Sequence, residues 1–159
     1  MNDNFDYDEF MSKAYGLVTS FIGEDIHEDK IHDEQEGSYL DGGKAFHLVA
    51  VSFIAQELVG DGLECFAEAL RLKKIHLNWS GMKQSVAISD TLHCMGLACG
   101  ISGDFSEALS SYAEALRIRR NLLGRDHLRV ADTCHSMVRK FVLNRILNLT
   151  HFRGSKLTF

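Results

Sequence analysis

The feature of this sequence that most restricts its fold is an internal repeat. Shifting the chain by 46 residues places CFAEALRLKK (65–74) on SYAEALRIRR (111–120). A second shift, of 42 residues, places DTLHCM (90–95) on DTCHSM (132–137). A period of this length indicates a repeat architecture, in which each unit buries its apolar face against its neighbours.

Each copy carries the parts of a helical hairpin. In the middle copy a first helix is predicted over 89–102, and Gly103 turns the chain. Asp104 then caps the second helix, with Glu107 three residues on in a near capping box. The second helix has apolar residues three or four positions apart, namely Phe105, Ala108, Leu109, Tyr112, Ala115 and Leu116.

The cap of the second helix is predicted to be displaced in the first copy. Leu58 occupies the position of Asp104, so Asp61 with Glu64 is the nearest capping pair. The whole chain lacks proline and is 45% hydrophobic, a combination that favours long uninterrupted helices. The fold is therefore predicted to be all-α.

The N-terminal quarter differs in charge from the rest. Residues 1–44 hold 12 acidic residues against 3 lysines, although the whole chain carries a net charge of only −5. Within this part, YDEFMSKAYGLVTSFI has helical apolar spacing, whereas the acidic stretch after it has few apolar groups to offset the cost of ordering. The predicted organisation is an amphipathic helix (1–23), an acidic linker (24–44), repeats (about 45–88, 89–131 and an incomplete third, 132–150) and a tail (151–159).

No apolar run approaches the roughly 18 residues of a membrane span. The acidic N-terminal sequence also lacks the basic start and apolar core of a signal peptide. We therefore expect a cytoplasmic protein without a membrane segment, in which all four cysteines are reduced.

The repeat resembles the tetratricopeptide repeat. That family's pattern of large apolar, small and aromatic positions is matched in the middle copy by Leu92, Met95, Gly96, Cys99 (in an aromatic slot), Ala108, Tyr112 and Ala115. The first copy supplies Phe46, Val49, Ala50, Phe53, Gly62, Phe66 and Ala69. The resemblance covers about residues 45–141 and implies a short right-handed α-solenoid that binds a protein partner.

More narrowly, EALRIRRNLLGRDHLRVADT (114–133) is similar to the extended variant found in kinesin light chains. Leu128 stands where that variant usually has proline, and the heptads of a motor-binding coiled coil are absent from the sequence. After Met137 the third copy loses the pattern. Either the remainder forms a long terminal capping helix, or the chain is a fragment whose stack another molecule completes.

The resemblance also indicates a binding site. Histidine recurs at one repeat position, and in the family this position faces the concave groove. A row of histidines is therefore expected on the binding surface. Acidic peptides are expected to bind more strongly when the imidazoles become charged below about pH 6.5. The residues expected at or near this groove are His47, Val51, Ile54, Asp90, His93, Leu97, Ile101 and His135. The alternative function is stacking or self-association through the incomplete C-terminal repeat.

Other functions are not favoured by the sequence. Cys94 and Cys99 are five apart, which separates them by about 140° around a helix, and no C-x-x-C occurs, so no metal or other cofactor is expected. RLKK (71–74) and RIRR (117–120) read as the solvated side of each second helix rather than a nucleic-acid site. The sequence has no phosphate-binding loop or nucleophile elbow, so no enzymatic activity is predicted.

Overall fold

The computed structural model describes residues 36–154, together with Ser12 and Gly16. The described chain is all-helical, with five helices and no strand. Most of the predicted N-terminal helix, linker residues 24–35 and tail residues 155–159 lie outside the described residues; Ser12 and Gly16 are helical. None of the described helices is long and apolar enough to cross a bilayer. The chain divides into two compact units, Met1–Lys83 and Gln84–Phe159.

The first unit contains one helical hairpin, formed by α1 (Glu36–Ala55) and α2 (Val59–Trp79). The two helices pack along their length. Their shared core is apolar and comprises Phe46, Val49 and Ala50 of α1 with Cys65, Phe66, Ala69 and Leu72 of α2.

Helix α1 begins nine residues before the predicted boundary at 45, inside the segment predicted to be a linker. The reason is tertiary packing, since a Cβ at Gly43 would lie 2.8 Å from Cγ of Lys73 and 3.2 Å from the carbonyl oxygen of Ala69. Glycine disfavours an isolated helix but lets two helices approach closely. Composition alone therefore did not predict that residues 36–44 are helical.

The predicted capping pair of α2 was wrong. A turn at Gln56 follows α1, and α2 begins at Val59. The cap residue of α2, Leu58, makes no side-chain hydrogen bond. Asp61 lies in the first turn, where a carboxylate interacts favourably with the positive end of the helix dipole. The first intrahelical hydrogen bond runs from the amide of Gly62 to the Leu58 carbonyl at 3.0 Å.

The second unit contains α3 (Val86–Ser102), α4 (Phe105–Leu123) and α5 (Leu128–Gly154). Helix α3 packs on α4, and α4 packs on α5. The predicted connection between α3 and α4 is confirmed: Gly103 adopts a left-handed conformation, and the Asp104 carboxylate accepts from the amide of Glu107 at 3.0 Å. Helix α3 starts earlier than predicted because Ser85 provides the cap.

Helix crossing in the second unit depends on small residues of α3. A Cβ at Gly96 would lie 2.8 Å from Cε1 of Tyr112, whose ring is fully buried between the helices. The Tyr112 hydroxyl is the only buried side-chain polar atom without a hydrogen-bond partner among the described residues. Burial raises the pKa of Tyr112 to about 12, so this hydroxyl stays protonated.

The third copy forms one continuous helix of 27 residues, α5, which continues beyond the predicted boundary at 150. Leu128 is its first residue, the position where proline is common in helices. Nδ1 of His127 accepts from the Arg129 amide at 3.1 Å and so caps the start. The structure thus confirms a long terminal helix over this segment.

Candidate functional site

The eight residues predicted from the repeat fall in both units. His47, Val51 and Ile54 lie on α1 in the first unit. The remaining five belong to the second unit, with Asp90, His93, Leu97 and Ile101 on α3 and His135 on α5. We describe the two units separately.

Four predicted residues follow one stripe of α3, since they are three or four positions apart. Leu97 is 39% exposed and Ile101 is 58% exposed, so this stripe ends in an apolar surface. Asp90, at the start of the stripe, is partly exposed. The face of α3 defined by Asp90, Leu97 and Ile101 is the α3 face.

The N-terminal half of α3 is held by a buried arginine of α4. Arg119 is 4% exposed, and its guanidinium donates to Asp90 of α3 at 2.8 Å and, more weakly, to Ser89 Oγ at 3.4 Å. The same side chain donates to Thr133 Oγ1 of α5 at 2.6 Å and to the Arg129 carbonyl at 2.9 Å. One side chain therefore links all three helices of the second unit.

The charges around Arg119 are balanced in part by two aspartates. Asp90 accepts from Arg119 and also from Arg129, whose Nη1 lies 3.2 Å and 2.9 Å from the two carboxylate oxygens. The Asp132 carboxylate lies 3.9 Å from Arg119. A buried cation is tolerated when it is paired and its donors are satisfied. Asp90, which the sequence assigned to partner contacts, thus makes its visible contacts within its own unit.

His93 belongs to this cluster rather than to an open surface. It is 7% exposed, and its ring packs edge-on against Tyr112 with centroids 5.4 Å apart. Its Nδ1 lies 3.5 Å from Arg119 and its Nε2 lies 3.5 Å from Asp132. Burial lowers the pKa of His93, the Arg119 charge lowers it further, and Asp132 and Asp90 oppose the change. The expectation that this imidazole charges just below pH 6.5 was therefore wrong.

The three repeat histidines have three different environments. His47 is half-buried, with its ring edge-on to Phe66 at 5.3 Å, whereas His93 is buried and His135 is exposed. An equivalent repeat position did not give equivalent exposure. The reason is that each helix has different neighbours, which sequence register does not specify.

The remaining predicted residues of the first unit lie on α1. Val51 is exposed, and Ile54 is partly covered because it packs against α2 at Gly62, where a Cβ would lie 2.6 Å from its Cδ1. Leu48, three residues before Val51, is also exposed. The first unit thus also presents apolar side chains on its first helix.

The cysteines of the described chain are separate free thiols, and those with a resolved shift are poor ligands or nucleophiles. Burial raises the pKa of the Cys65 thiol to about 12, and burial also raises the pKa of Cys99. Cys94 and Cys134 are half-buried. Within residues 36–154 no group of three or more histidine, cysteine, aspartate or glutamate side chains could hold a metal ion.

The role of Arg119 was not predicted from the sequence. RIRR (117–120) and RLKK (71–74) were predicted to lie on the solvated side of each second helix, which is wrong for Arg119 and for Lys73, both of which are buried. These two residues are 46 apart and thus equivalent in the repeat. A basic residue kept at one repeat position, directly after an apolar residue in both copies, was the available signal.

Comparison of the chain with models of known protein families gives no match, and comparison with curated protein sequences gives none either. The geometry of the described helices therefore carries the functional argument.

Proposed function

We propose that the protein is a non-catalytic interaction module of the tetratricopeptide type, and that it binds a peptide or helix of a protein partner on the first helices of its hairpins. The observation that carries the proposal is the α3 face, where Leu97 and Ile101 expose apolar surface on the same helical stripe as the partly exposed Asp90. Exposed apolar side chains that lie together often mark interaction sites.

The hairpin arrangement supports this proposal. In each unit a first helix packs on a second helix, and small residues, Gly62 in α2 and Gly96 in α3, lie at close approaches. Such positions let helix axes come within about 8 to 10 Å. Tetratricopeptide hairpins are built in this way, and they bind partners on the first helix.

Rigidity of α3 supports the proposal as well. Arg119 fixes the N-terminal half of α3 to α4 and α5 through three side-chain partners, Asp90, Ser89 and Thr133. A preorganised surface loses little conformational entropy on binding. The Arg119 cluster therefore positions the α3 face without needing to touch the partner.

A catalytic role has less support. The aspartates nearest to His93 are engaged by arginines, and the buried thiols remain protonated. On α1, the assignment of His47, Val51 and Ile54 to partner binding depends on their repeat positions and on the exposure of Val51.

The proposal is tested by affinity capture with mass spectrometry, using the double variant Leu97→Glu, Ile101→Glu. Leu122→Glu on α4 is the matched control, because Leu122 is also an exposed leucine but lies outside the α3 face. Circular dichroism should be the same for all three proteins. A protein retained by wild type and control and lost by the double variant is the expected result; equal retention by all three would refute the assignment to α3.

A further inference from the structure

Helix α5 has an apolar face that no described residue covers. Val138, Phe141, Val142 and Ile146 are each between 48% and 61% exposed. Their spacing of three or four residues places them on one side of the helix, which we call the α5 face. The opposite side is buried at Thr133 and Lys140, and α5 packs on α4.

The repeat indicates what kind of structure covers such a face. By the shift of 42 residues, Val138 and Phe141 of α5 correspond to Gly96 and Cys99 of α3. In α3 these positions are buried, and Gly96 lies against Tyr112 of the following helix.

In the first hairpin, too, the equivalent face of the first helix is covered by the helix that follows it. By the shift of 46 residues, Ala50 and Ile54 of α1 correspond to Gly96 and Gly100 of α3. Both lie against Gly62 of α2, where a Cβ would be 3.2 Å from the Ala50 carbonyl oxygen. In both earlier copies a helix that follows in the chain thus covers this face, whereas α5 extends to the end of the described residues.

Charge restricts the occupant further. After Asp132 the sequence has five lysines and arginines and no aspartate or glutamate. Arg139 and Arg145 are exposed on α5 among the residues of the α5 face. Opposite charges across an interface favour association, and like charges oppose it. A second copy that presented the same face would place arginine against arginine.

We propose that the α5 face binds an amphipathic helix of another protein, one that carries acidic residues beside its apolar stripe. The occupant takes the place that α2 and α4 take on the earlier copies. Because Val138 stands where α3 has glycine, the occupant carries alanine or other small residues at the crossing, which keeps the helices at about 8 to 10 Å. This proposal is independent of binding at the α3 face.

The test uses two synthetic peptides of about 18 residues, a length at which helices are stable enough to compare. Both have an alanine and leucine stripe at helical spacing; one has glutamate beside the stripe, and the other has lysine at the same positions. Binding of each labelled peptide to the full chain is measured by fluorescence anisotropy. We expect the glutamate peptide to bind at least about tenfold more tightly than the lysine peptide, with an affinity that falls as salt rises.

Variants of the chain assign the binding to α5. Arg139→Glu with Arg145→Glu is expected to weaken binding of the glutamate peptide about tenfold, and Phe141→Glu to abolish it. The matched control is Arg117→Glu with Arg125→Glu, which makes the same change of charge at two exposed arginines outside α5 and should leave binding unchanged. Circular dichroism confirms that each variant is folded.

Four results would overturn the proposal. Failure of the folded wild type to bind the glutamate peptide is the first, and equal binding of both peptides is the second. The third is a concentration-dependent mass in light scattering that Phe141→Glu removes, which would assign the face to a second copy. The fourth is sedimentation with phosphatidylserine vesicles that the Arg139 and Arg145 substitutions remove, which would assign it to a lipid surface.

Discussion

Helices α3 and α5 contain the same short pattern, Asp-Thr-x-His-x-Met, and yet their environments differ. Gly96 and Cys99, which follow the pattern in α3, are small and buried, whereas the equivalent Val138 and Phe141 of α5 are larger and exposed. The histidine of the pattern is buried in α3 and exposed in α5. A repeat therefore specifies which faces of a helix are apolar, while the neighbouring helices decide which of those faces are covered.

The largest expected effect concerns the arginine that links α3 to α5. Arg119→Ala should lower the free energy of unfolding of the second unit by about 3 kcal/mol, because Thr133 and the Arg129 carbonyl lose a buried donor and Asp90 keeps only Arg129 as a partner. Arg117→Ala, at an exposed position of the same helix, should change it by less than about 0.5 kcal/mol.

Urea denaturation followed by circular dichroism measures both variants. Equal and small effects for Arg119 and Arg117 would mean that the buried cluster does not hold the three helices together.

A reciprocal exchange sharpens the comparison of the two helices. Gly96→Val puts the α5 residue into α3, where the nearest Tyr112 ring atom is 2.8 Å from a Cβ, and should lower stability by about 2 to 3 kcal/mol through overpacking. Val138→Gly at the exposed position should cost only about 0.5 kcal/mol, from helix propensity.

Thermal unfolding provides the measurement for this pair. If Gly96→Val were as mild as Val138→Gly, the close approach of α3 and α4 would not be tightly packed.

The buried histidine of the pattern in α3, His93, should contribute to the pH dependence of stability. Because the pKa of His93 is lowered in the folded state, the unfolded state binds more protons than the folded state below about pH 6.5. Stability should therefore decrease as the pH decreases from about 6.5 to the lowered pKa of His93. The slope from one such group is at most about 1.4 kcal/mol per pH unit. Urea midpoints between pH 7 and 5 measure it.

His93→Gln should flatten this dependence. The same curve for wild type and His93→Gln would exclude the buried imidazole as a source of the acid sensitivity.

The smallest effect is expected at Tyr112. Its hydroxyl is buried without a partner, so Tyr112→Phe should leave the unfolding free energy unchanged or raise it by up to about 1 kcal/mol. A loss of more than about 1 kcal/mol in urea denaturation would indicate that the hydroxyl has a partner, such as a bound water.

Much of the fold follows from local signals in the sequence. The Gly103 turn and the Asp104 cap were predicted because glycine tolerates a left-handed conformation and a short carboxylate reaches the helix amides. The start of α1 was not predicted, since its glycines join a helix only by packing against Lys73 and Ala69. Local propensity and tertiary packing oppose each other there, and packing prevails.

The candidate site was predictable only in part. Apolar spacing identified Leu97 and Ile101 as one stripe, but it could not show that His93 is enclosed or that Arg119 is buried. Burial of a charged side chain depends on partners distant in sequence, such as Asp90 and Thr133. No periodic pattern within one helix contains that information.

The sequence by itself determined the helical class, the hairpin turn of the middle copy and the apolar stripes, because each arises from interactions over a few residues. Tertiary structure alone decided that Arg119 links three helices, that the pKa of His93 is lowered and that the α5 face is left open. The physical reason is that burial, charge pairing and pKa depend on distances between helices, which repeat register leaves undetermined.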